Sequence, residues 1–219
     1  MRRQKNFDAY LPIFCSAKNW QERCTLTMLN DEPIQVTMQV VDALEKIGID
    51  YVIGGSLASA LHGVARATMD SDIVADFREE HIAPFVEALK STFYVDDEMI
   101  RDAIRAHRSF NIIHLQTFFK VDIFVAKERE FDRLQIARRT SYALSNDGSQ
   151  NAYVASAEDT ILAKLEWYRM GDEVSDRQWK DILGVIKVQE GKLDMEYLQR
   201  GANLLKVTDL LERALAQSK

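Results

Sequence analysis

The segment from residue 50 to residue 63 constrains the fold of this chain more than any other part. It begins with a short strand-like run at 50–53, which a pair of glycines ends, and it continues with helix-forming residues up to Gly63. Strand, double glycine and helix in this order predict a tight turn whose main-chain N–H groups open the helix. Glycine has no Cβ to block a ligand, so Gly54, Gly55 and Ser56 are predicted to form a phosphate cradle.

A pair of carboxylates, Asp70 and Asp72, lies 14 residues after Ser56, where a second strand is expected. Side chains two residues apart on a strand project from the same face, so these two can share a divalent cation. An Asp-x-Asp pair alone arises by chance in a chain of this composition, and its usual setting is a solvated strand edge. The cradle just upstream favours the metal-binding interpretation.

A third carboxylate, Asp122, interrupts an otherwise apolar strand. Alternation predicts that the valine and isoleucine side chains of 121–125 face one side and that Asp122 faces the other, with Lys120 and Phe124. An Asp inside an otherwise apolar strand costs several kcal/mol of folding free energy unless its carboxylate is exposed, paired or metal-bound. If the strands of Asp72 and Asp122 are neighbours, three carboxylates meet at one metal site. The alternative is a salt bridge between Asp122 and a strand neighbour.

The remaining pattern is that of a helix-rich α+β chain. With 9 Gly and 3 Pro among 219 residues, an all-β sandwich with many turns is disfavoured. Strands are expected at 109–115 and 118–126 and around a turn at 145–148, and helices at 34–47, 79–92, 97–107, 128–139, 157–170, 175–190 and, with a break, 194–217. We predict an N-terminal extension at 1–33, a core at 34–155 and a helical region at 156–219 that packs on the core.

Charge and hydropathy exclude several classes of function. The net charge is −6, from 28 basic and 34 acidic residues, which disfavours a general nucleic-acid coat. No apolar run approaches the ~18 residues that span a bilayer, so no membrane partner is expected. Cys15 and Cys24 have neither metal-site spacing nor a nearby His and are expected to be free thiols. The N-terminal residues match a signal peptide poorly, so a cytoplasmic protein is predicted.

These residues resemble the nucleotidyltransferase superfamily, which includes DNA polymerase β and the aminoglycoside nucleotidyltransferases. The matching residues are Gly54-Gly55-Ser56, His62-Gly63, Arg66, Thr68, Asp70-Ser71-Asp72-Ile73-Val74 and Asp122. Within the superfamily the chain is most similar to bacterial proteins related to AbiEii-type toxins. The later runs Ala157-Glu158-Asp159, Ala163-Lys164-Leu165 and Asp176 to Ile182 resemble the second conserved block of that subgroup.

The resemblance implies a mixed-sheet nucleotidyltransferase fold with flanking helices and a C-terminal helical bundle segment. Residues 34–155 would be the nucleotidyltransferase core. Asp70 and Asp72 would bind Mg²⁺, two ions in all, and Asp122 would complete the metal site or act as the base. The residues expected to bind the nucleoside triphosphate (NTP) substrate are Gly54, Gly55, Ser56, Arg66, Lys164 and Arg177.

The residues outside the first motif also have simpler interpretations. Lys164 and Arg177 lie on predicted amphipathic helices, where charged side chains usually face solvent, and Asp181 could orient Arg177 one turn away. His62, beside a helix-ending glycine, is more typical of a capping or packing residue. The aromatic residues Trp167, Tyr168 and Trp179 are expected to pack two helices together rather than to stack on a base.

The leading hypothesis is an Mg²⁺-dependent enzyme that moves a nucleotidyl group from an NTP to an acceptor hydroxyl. The acceptor is a tRNA end, a protein side chain or a small molecule, and the sequence does not separate these. Following the resemblance, the enzyme would be the toxin of a toxin–antitoxin or abortive-infection system with a cognate antitoxin as partner. The alternative is a non-catalytic nucleotide-binding or antitoxin-like protein of the same fold, and phosphoryl transfer would use the same residues.

Overall fold

The computed structural model describes residues 31–66, 68–144 and 150–218. Within these ranges the chain forms nine α-helices and seven strands. In chain order they are α1 (Asp31–Ile47), β1 (Tyr51–Ile53), α2 (Gly55–His62), β2 (Asp70–Ala75), α3 (Ile82–Leu89), β3 (Phe93–Tyr94), α4 (Asp97–Ala106), β4 (Ser109–His114), β5 (Lys120–Val125), α5 (Glu130–Ala137), β6 (Thr140–Ala143), β7 (Asn151–Val154), α6 (Ala157–Met170), α7 (Asp176–Val188), α8 (Met195–Leu205) and α9 (Thr208–Gln217). A 3₁₀ turn at Glu79–His81 precedes α3.

All seven strands belong to one mixed sheet, in the order β3-β4-β5-β2-β1-β7-β6. Strand β2 runs parallel to β5 and antiparallel to β1, and β1 runs parallel to β7. The register of β2 and β5 places Asp72 opposite Asp122 and Asp70 opposite Lys120. The two strands that carry the predicted carboxylates are therefore direct neighbours at the middle of the sheet.

Two apolar clusters hold the elements together. The first joins the inward side chains of the sheet, such as Ile73, Ile112 and Ile123, to apolar residues of α1, α3 and α4. The second is formed by α6, α7, α8 and α9 together with Phe131 of α5. Helix α2 contacts β2, α6 and α7, so the predicted cradle helix lies where the sheet meets the helical region.

Local sequence signals set the ends of the helices. Gly48 has a φ of +80°, a conformation that favours glycine, and it follows the last turn of α1. The side chain of Ser156 accepts a hydrogen bond from the main-chain N–H of Asp159 at the start of α6, and Ser175 caps α7 in the same way. Helices α8 and α9 are separated at Lys206, whose φ is +58°, within the break that the sequence predicts.

The structure confirms the predicted α+β architecture, with a mixed sheet and a C-terminal helical region, and adds the short strand β3, which the sequence pattern did not indicate. Residues 1–30 of the predicted N-terminal extension, with Cys15 and Cys24, and the turn at 145–148 lie outside the described residues, whereas residues 31–33 belong to α1. Across the described ranges, no helix combines the length and the apolar character that a membrane crossing requires.

Candidate active site

The predicted phosphate cradle is a turn that lies directly on a carboxylate. The main-chain N–H of Gly54 donates to the carbonyl oxygen of Asp72 at 2.9 Å, and Gly55 has a φ of +55°. A Cβ at Gly55 would lie 1.7 Å from Oδ2 of Asp72, so only glycine fits there. No side chain caps the start of α2, which leaves its first N–H groups available to an anion.

Two hydroxyl groups connect the cradle to the strand that carries the carboxylates. The hydroxyl oxygens of Ser56 and Thr68 are 2.6 Å apart, and both side chains are buried. Thr68 donates to the carbonyl oxygen of Asp70 at 2.8 Å, so Ser56 is the donor to Thr68. The predicted nucleotide-binding residue Ser56 thus fixes the start of β2 relative to the start of α2.

The structure brings the three predicted carboxylates onto one face of the sheet. Asp70 and Asp72 alternate with buried residues of β2, and Asp122 does the same on β5. Neighbouring strands are about 4.8 Å apart and residues two apart along a strand are about 6.6 Å apart. Together with Lys120, the three carboxylates occupy the corners of a block of this size, which we call the carboxylate block.

The block is crowded with negative charge. Burial, and then the charges of Asp70 and Asp122, raise the pKa of Asp72 to about 6, although Lys164 and Lys120 act in the opposite direction. The ammonium group of Lys120 lies 2.5 Å from Oδ2 of Asp122. The salt bridge that the sequence left open as an alternative for Asp122 is therefore present, alongside the clustering of the carboxylates.

The donor groups of the block suit a hard divalent cation, since carboxylate oxygens are the ligands that Mg²⁺ prefers. A bound cation would also favour the ionised form of Asp72, which burial and the neighbouring carboxylates disfavour, as the raised pKa shows. Within the described residues, however, no group of three His, Cys, Asp or Glu side chains is close enough to count as an assembled metal centre. Metal binding by Asp70, Asp72 and Asp122 therefore stays a prediction.

The predicted cations Arg66 and Lys164 meet on a single carboxylate, Asp181 of α7. Arg66 donates to both oxygens of Asp181, at 2.9 and 2.8 Å, and Lys164 donates to Oδ2 at 2.9 Å. Burial acts to raise the pKa of Asp181, but the hydrogen bonds and charges of the two cations outweigh it and leave this pKa below its usual value. We call these three residues the Asp181 cluster.

Two expectations about these helices were wrong. Lys164 does not face solvent, since only 8% of the residue is exposed, and its charge reaches Asp72. Asp181 does not orient Arg177, because it binds Arg66 and Lys164 instead. Arg177 is exposed in the first turn of α7, and its proposed contact with the triphosphate stays a prediction.

The simpler interpretation is confirmed for His62, Tyr168 and Trp179, but Trp167 packs on a strand and does not join two helices. Nε2 of His62 lies 2.7 Å from the carbonyl oxygen of Ala155, and burial lowers the pKa of this imidazole. The rings of Tyr168 and Trp179 pack with centroids 5.0 Å apart and join α6 to α7. Trp167 packs against Phe124 of β5 at 5.5 Å.

An exposed aromatic residue beside the carboxylate block was not recognised from the sequence. Phe118 is 78% exposed, has a φ of +59° and precedes Lys120 by two residues. The alternation pattern placed Phe118 inside a strand, but β5 begins only at Lys120. Tyr94 is 58% exposed and lies on the same face of the sheet as Lys120. Tyr94 pairs with Ile113 across β3 and β4, and Ile113 pairs with Lys120 across β4 and β5. The sequence showed only an aromatic residue two positions before Lys120, and its exposure is visible in the structure alone.

Comparisons with known proteins bear on the fold. No family model matches the chain, and neither does any curated protein. Among solved structures, the chain is similar to an antigenic nucleotidyltransferase-like protein from Paracoccidioides brasiliensis, with a TM-score of 0.53 and 20% identity over 86% of this chain and 94% of that one. It also matches the antibiotic-resistance factor ANT(2'')-Ia more loosely, with a TM-score of 0.47 and 18% identity over 86% of this chain and 96% of that one. The fold of this chain is therefore a mixed-sheet nucleotidyltransferase fold.

Proposed function

We propose that this protein is an Mg²⁺-dependent nucleotidyltransferase that moves a nucleotidyl group from an NTP to an acceptor hydroxyl. The observation that carries the proposal is the contact between cradle and carboxylate: a Cβ at Gly55 would overlap Oδ2 of Asp72. A phosphate bound at the start of α2 would therefore lie next to the carboxylate block. The nucleotidyltransferase fold supports the same reaction class.

The residues divide the work between binding and proton transfer. The N–H groups at Gly55 and Ser56 hold the phosphates, and Arg66 and Lys164 approach them from the Asp181 cluster. Two Mg²⁺ ions held by Asp70, Asp72 and Asp122 would supply positive charge for the attacking and leaving oxygens.

The covalent step exchanges one phosphate ester bond for another. The acceptor oxygen forms a bond to the α-phosphorus, and the bond from the α-phosphorus to the oxygen that bridges to the β-phosphorus breaks. Pyrophosphate leaves. The hydroxyl proton passes to Asp122, which lies on the far side of Asp72 from the cradle.

The order of the strands sets the direction of attack. The cradle follows β1, on one side of β2, while Asp122 lies on β5, on the other side. An in-line displacement keeps the attacking and leaving oxygens on opposite sides of the phosphorus. Pyrophosphate therefore leaves on the cradle side, and the acceptor approaches over β5, β4 and β3, on the side where Phe118, just before β5, and Tyr94, in β3, are exposed.

The proposal extends to the biological role. Lys164 and Asp181 both belong to the sequence runs that resemble AbiEii-type toxins, and they form an ion pair. This pairing supports the proposal that the protein is the toxin of a toxin–antitoxin or abortive-infection system. Such a protein would act in the cytoplasm and have a cognate antitoxin as partner. The acceptor is a tRNA end, a protein side chain or a small molecule.

The test is to incubate the pure protein with Mg²⁺, cell extract and each NTP in turn, labelled at the α- or the γ-phosphate. Nucleotidyl transfer attaches the α-label to an acceptor and releases the γ-label as pyrophosphate, whereas phosphoryl transfer attaches the γ-label. Treating the labelled product with nuclease or protease identifies the acceptor class. Absence of labelled product with every NTP, or equal labelling by Asp72→Asn, would contradict the proposal.

One observation favours the alternative, a non-catalytic nucleotide-binding or antitoxin-like protein. The ammonium group of Lys120 is ion-paired with Asp122, so in this arrangement the carboxylate is not free to bind a metal ion or to accept a proton. A protein of this kind would bind NTP through the cradle and the Asp181 cluster. In the same experiment the α-label would stay on the NTP and would not be attached to any acceptor.

A further inference from the structure

Lys120 occupies a position in the carboxylate block that the proposed reaction does not use. It lies opposite Asp70 in the register of β2 and β5, and it is two residues before Asp122 on the same face. Its ammonium group is bound to Asp122, and the charges of Asp70 and Asp72 also act on it. Lys120 thus faces all three carboxylates of the block.

Two other cations lie near the block, and both are already engaged. Lys164 acts on Asp72, and Arg66 acts on Asp70 and Asp72, but each of them is hydrogen-bonded to Asp181 on α7. Lys120 makes a direct ion pair with a carboxylate of the block. Its ammonium group therefore balances part of the negative charge of the block as long as no divalent cation is bound.

The side chain of Lys120 is also able to leave. Its side chain is 42% exposed, whereas that of Asp122 is 17% exposed, so the lysine reaches inward from solvent to a more buried carboxylate. A lysine ammonium sits on a flexible four-carbon stem and is easily rehydrated. A divalent cation needs the same carboxylate oxygen that the ammonium now occupies.

We propose that Lys120 is the resident counter-ion of the carboxylate block and that a divalent cation binds by displacing its ammonium group from Asp122. This inference rests on the proposed function, because it assumes that the block is the metal site. Lys120 is then a positioning residue that holds Asp122 in place before the cation binds. It also lowers the affinity of the block for that cation.

The test measures Mn²⁺ binding to the full chain by electron paramagnetic resonance of the free ion, without nucleotide. Lys120→Met keeps the aliphatic stem and removes the charge, and Lys90→Met, in an exposed ion pair with Glu87, is the matched control. We expect Lys120→Met to bind Mn²⁺ about tenfold more tightly, the factor for a +1 and a +2 charge about 6 Å apart in a water-like dielectric. Lys90→Met should bind Mn²⁺ as the wild type does.

A second readout is thermal unfolding with and without Mg²⁺. Without the ammonium group the three carboxylates repel one another, so Lys120→Met should melt below the wild type in chelator and gain more from Mg²⁺. Lys120→Gln should behave in the same way if Lys120→Met folds poorly. Unchanged or weaker Mn²⁺ binding by the folded lysine variants would overturn the inference alone. Mn²⁺ binding to the wild type that is absent, or insensitive to Asp72→Asn, would overturn the metal site as well.

Discussion

Replacing Gly55 by alanine tests the contact on which the proposed function depends. The added Cβ would lie 1.7 Å from Oδ2 and 2.6 Å from Cγ of Asp72, so the carboxylate has to move. The left-handed φ of +55° costs an alanine about 1 to 2 kcal/mol, and forcing packed groups apart costs about 1 to 3 kcal/mol more. We therefore expect Gly55→Ala to lose about 2 to 5 kcal/mol of stability, which is a fall in Tm of roughly 4 to 20 °C for a chain of this size.

Gly54→Ala is the matched control, because a Cβ at Gly54 meets nothing within 4 Å and its φ is −120°. Its stability should stay within about 1 kcal/mol of the wild type. Urea unfolding gives the free energies, and calorimetric titration gives NTP affinity, which should fall about tenfold or more in Gly55→Ala because the moved carboxylate disturbs the cradle.

A double-mutant cycle isolates the contact itself. Asp72→Ala removes the oxygen and the Cγ that the new Cβ would meet and leaves the contact of 2.8 Å with Cβ of residue 72, so Gly55→Ala should cost less in that background, with a coupling free energy of about 1 to 3 kcal/mol. The backbone strain would remain in both backgrounds. Equal stability losses in the two backgrounds, or NTP affinity unchanged in folded Gly55→Ala, would refute the contact between cradle and carboxylate.

Three further predictions concern neighbouring groups. Folding raises the pKa of Asp72 to about 6, so the ionisation of this group destabilises the fold as the pH rises from about 4 to 6. By urea unfolding, Asp72→Asn should be up to about 3 kcal/mol more stable than the wild type at pH 7.5, and this gain should vanish near pH 4. The exposed control Asp102→Asn should show no such pH-dependent gain. Lys164→Ala should lower kcat/KM for the NTP about a hundredfold. Because it breaks a buried ion pair, it should also lower the free energy of unfolding in urea by about 1 to 3 kcal/mol. A stability loss no larger than that of the exposed control Lys187→Ala would show that the ion pair does not stabilise the fold. Phe118→Ala should reduce transfer of the α-label to the acceptor severalfold with NTP affinity unchanged, and weaker NTP binding would place Phe118 on the nucleotide side.

The parts of the site that follow from local periodicity could be predicted from the sequence. The alternation in β2 and β5 placed Asp70, Asp72 and Asp122 on polar faces, and Gly54-Gly55 predicted the turn before α2. These signals depend on side-chain direction within one element. Whether the carboxylates meet depends on the order of the strands, which the sequence does not determine. In the structure β2 and β5 are neighbours, so the carboxylates do meet.

The Asp181 cluster could not be predicted, because its contacts cross the fold. Arg66 is 115 residues from Asp181 in sequence and Lys164 is 17 residues away, whereas a local argument offers only Arg177, one turn away on the same helix. The burial of Lys164 has a similar origin. Helix α6 packs against α2, α7 and α8, and a helix covered on several sides lacks the amphipathic pattern that separates buried from exposed positions.

A glycine at the end of α2 allows the main chain there to approach α7 closely. A Cβ at Gly63 would lie 2.9 Å from the main-chain nitrogen of Val185, whereas one at Gly184 would make only ordinary contact with Val64. The distance between the cradle helix and Asp181, three residues before Gly184, is thus set by backbone against backbone rather than by side chains that can change rotamer. The cradle and its cations should move as one unit, and any opening that releases product would have to separate this unit from β4 and β5.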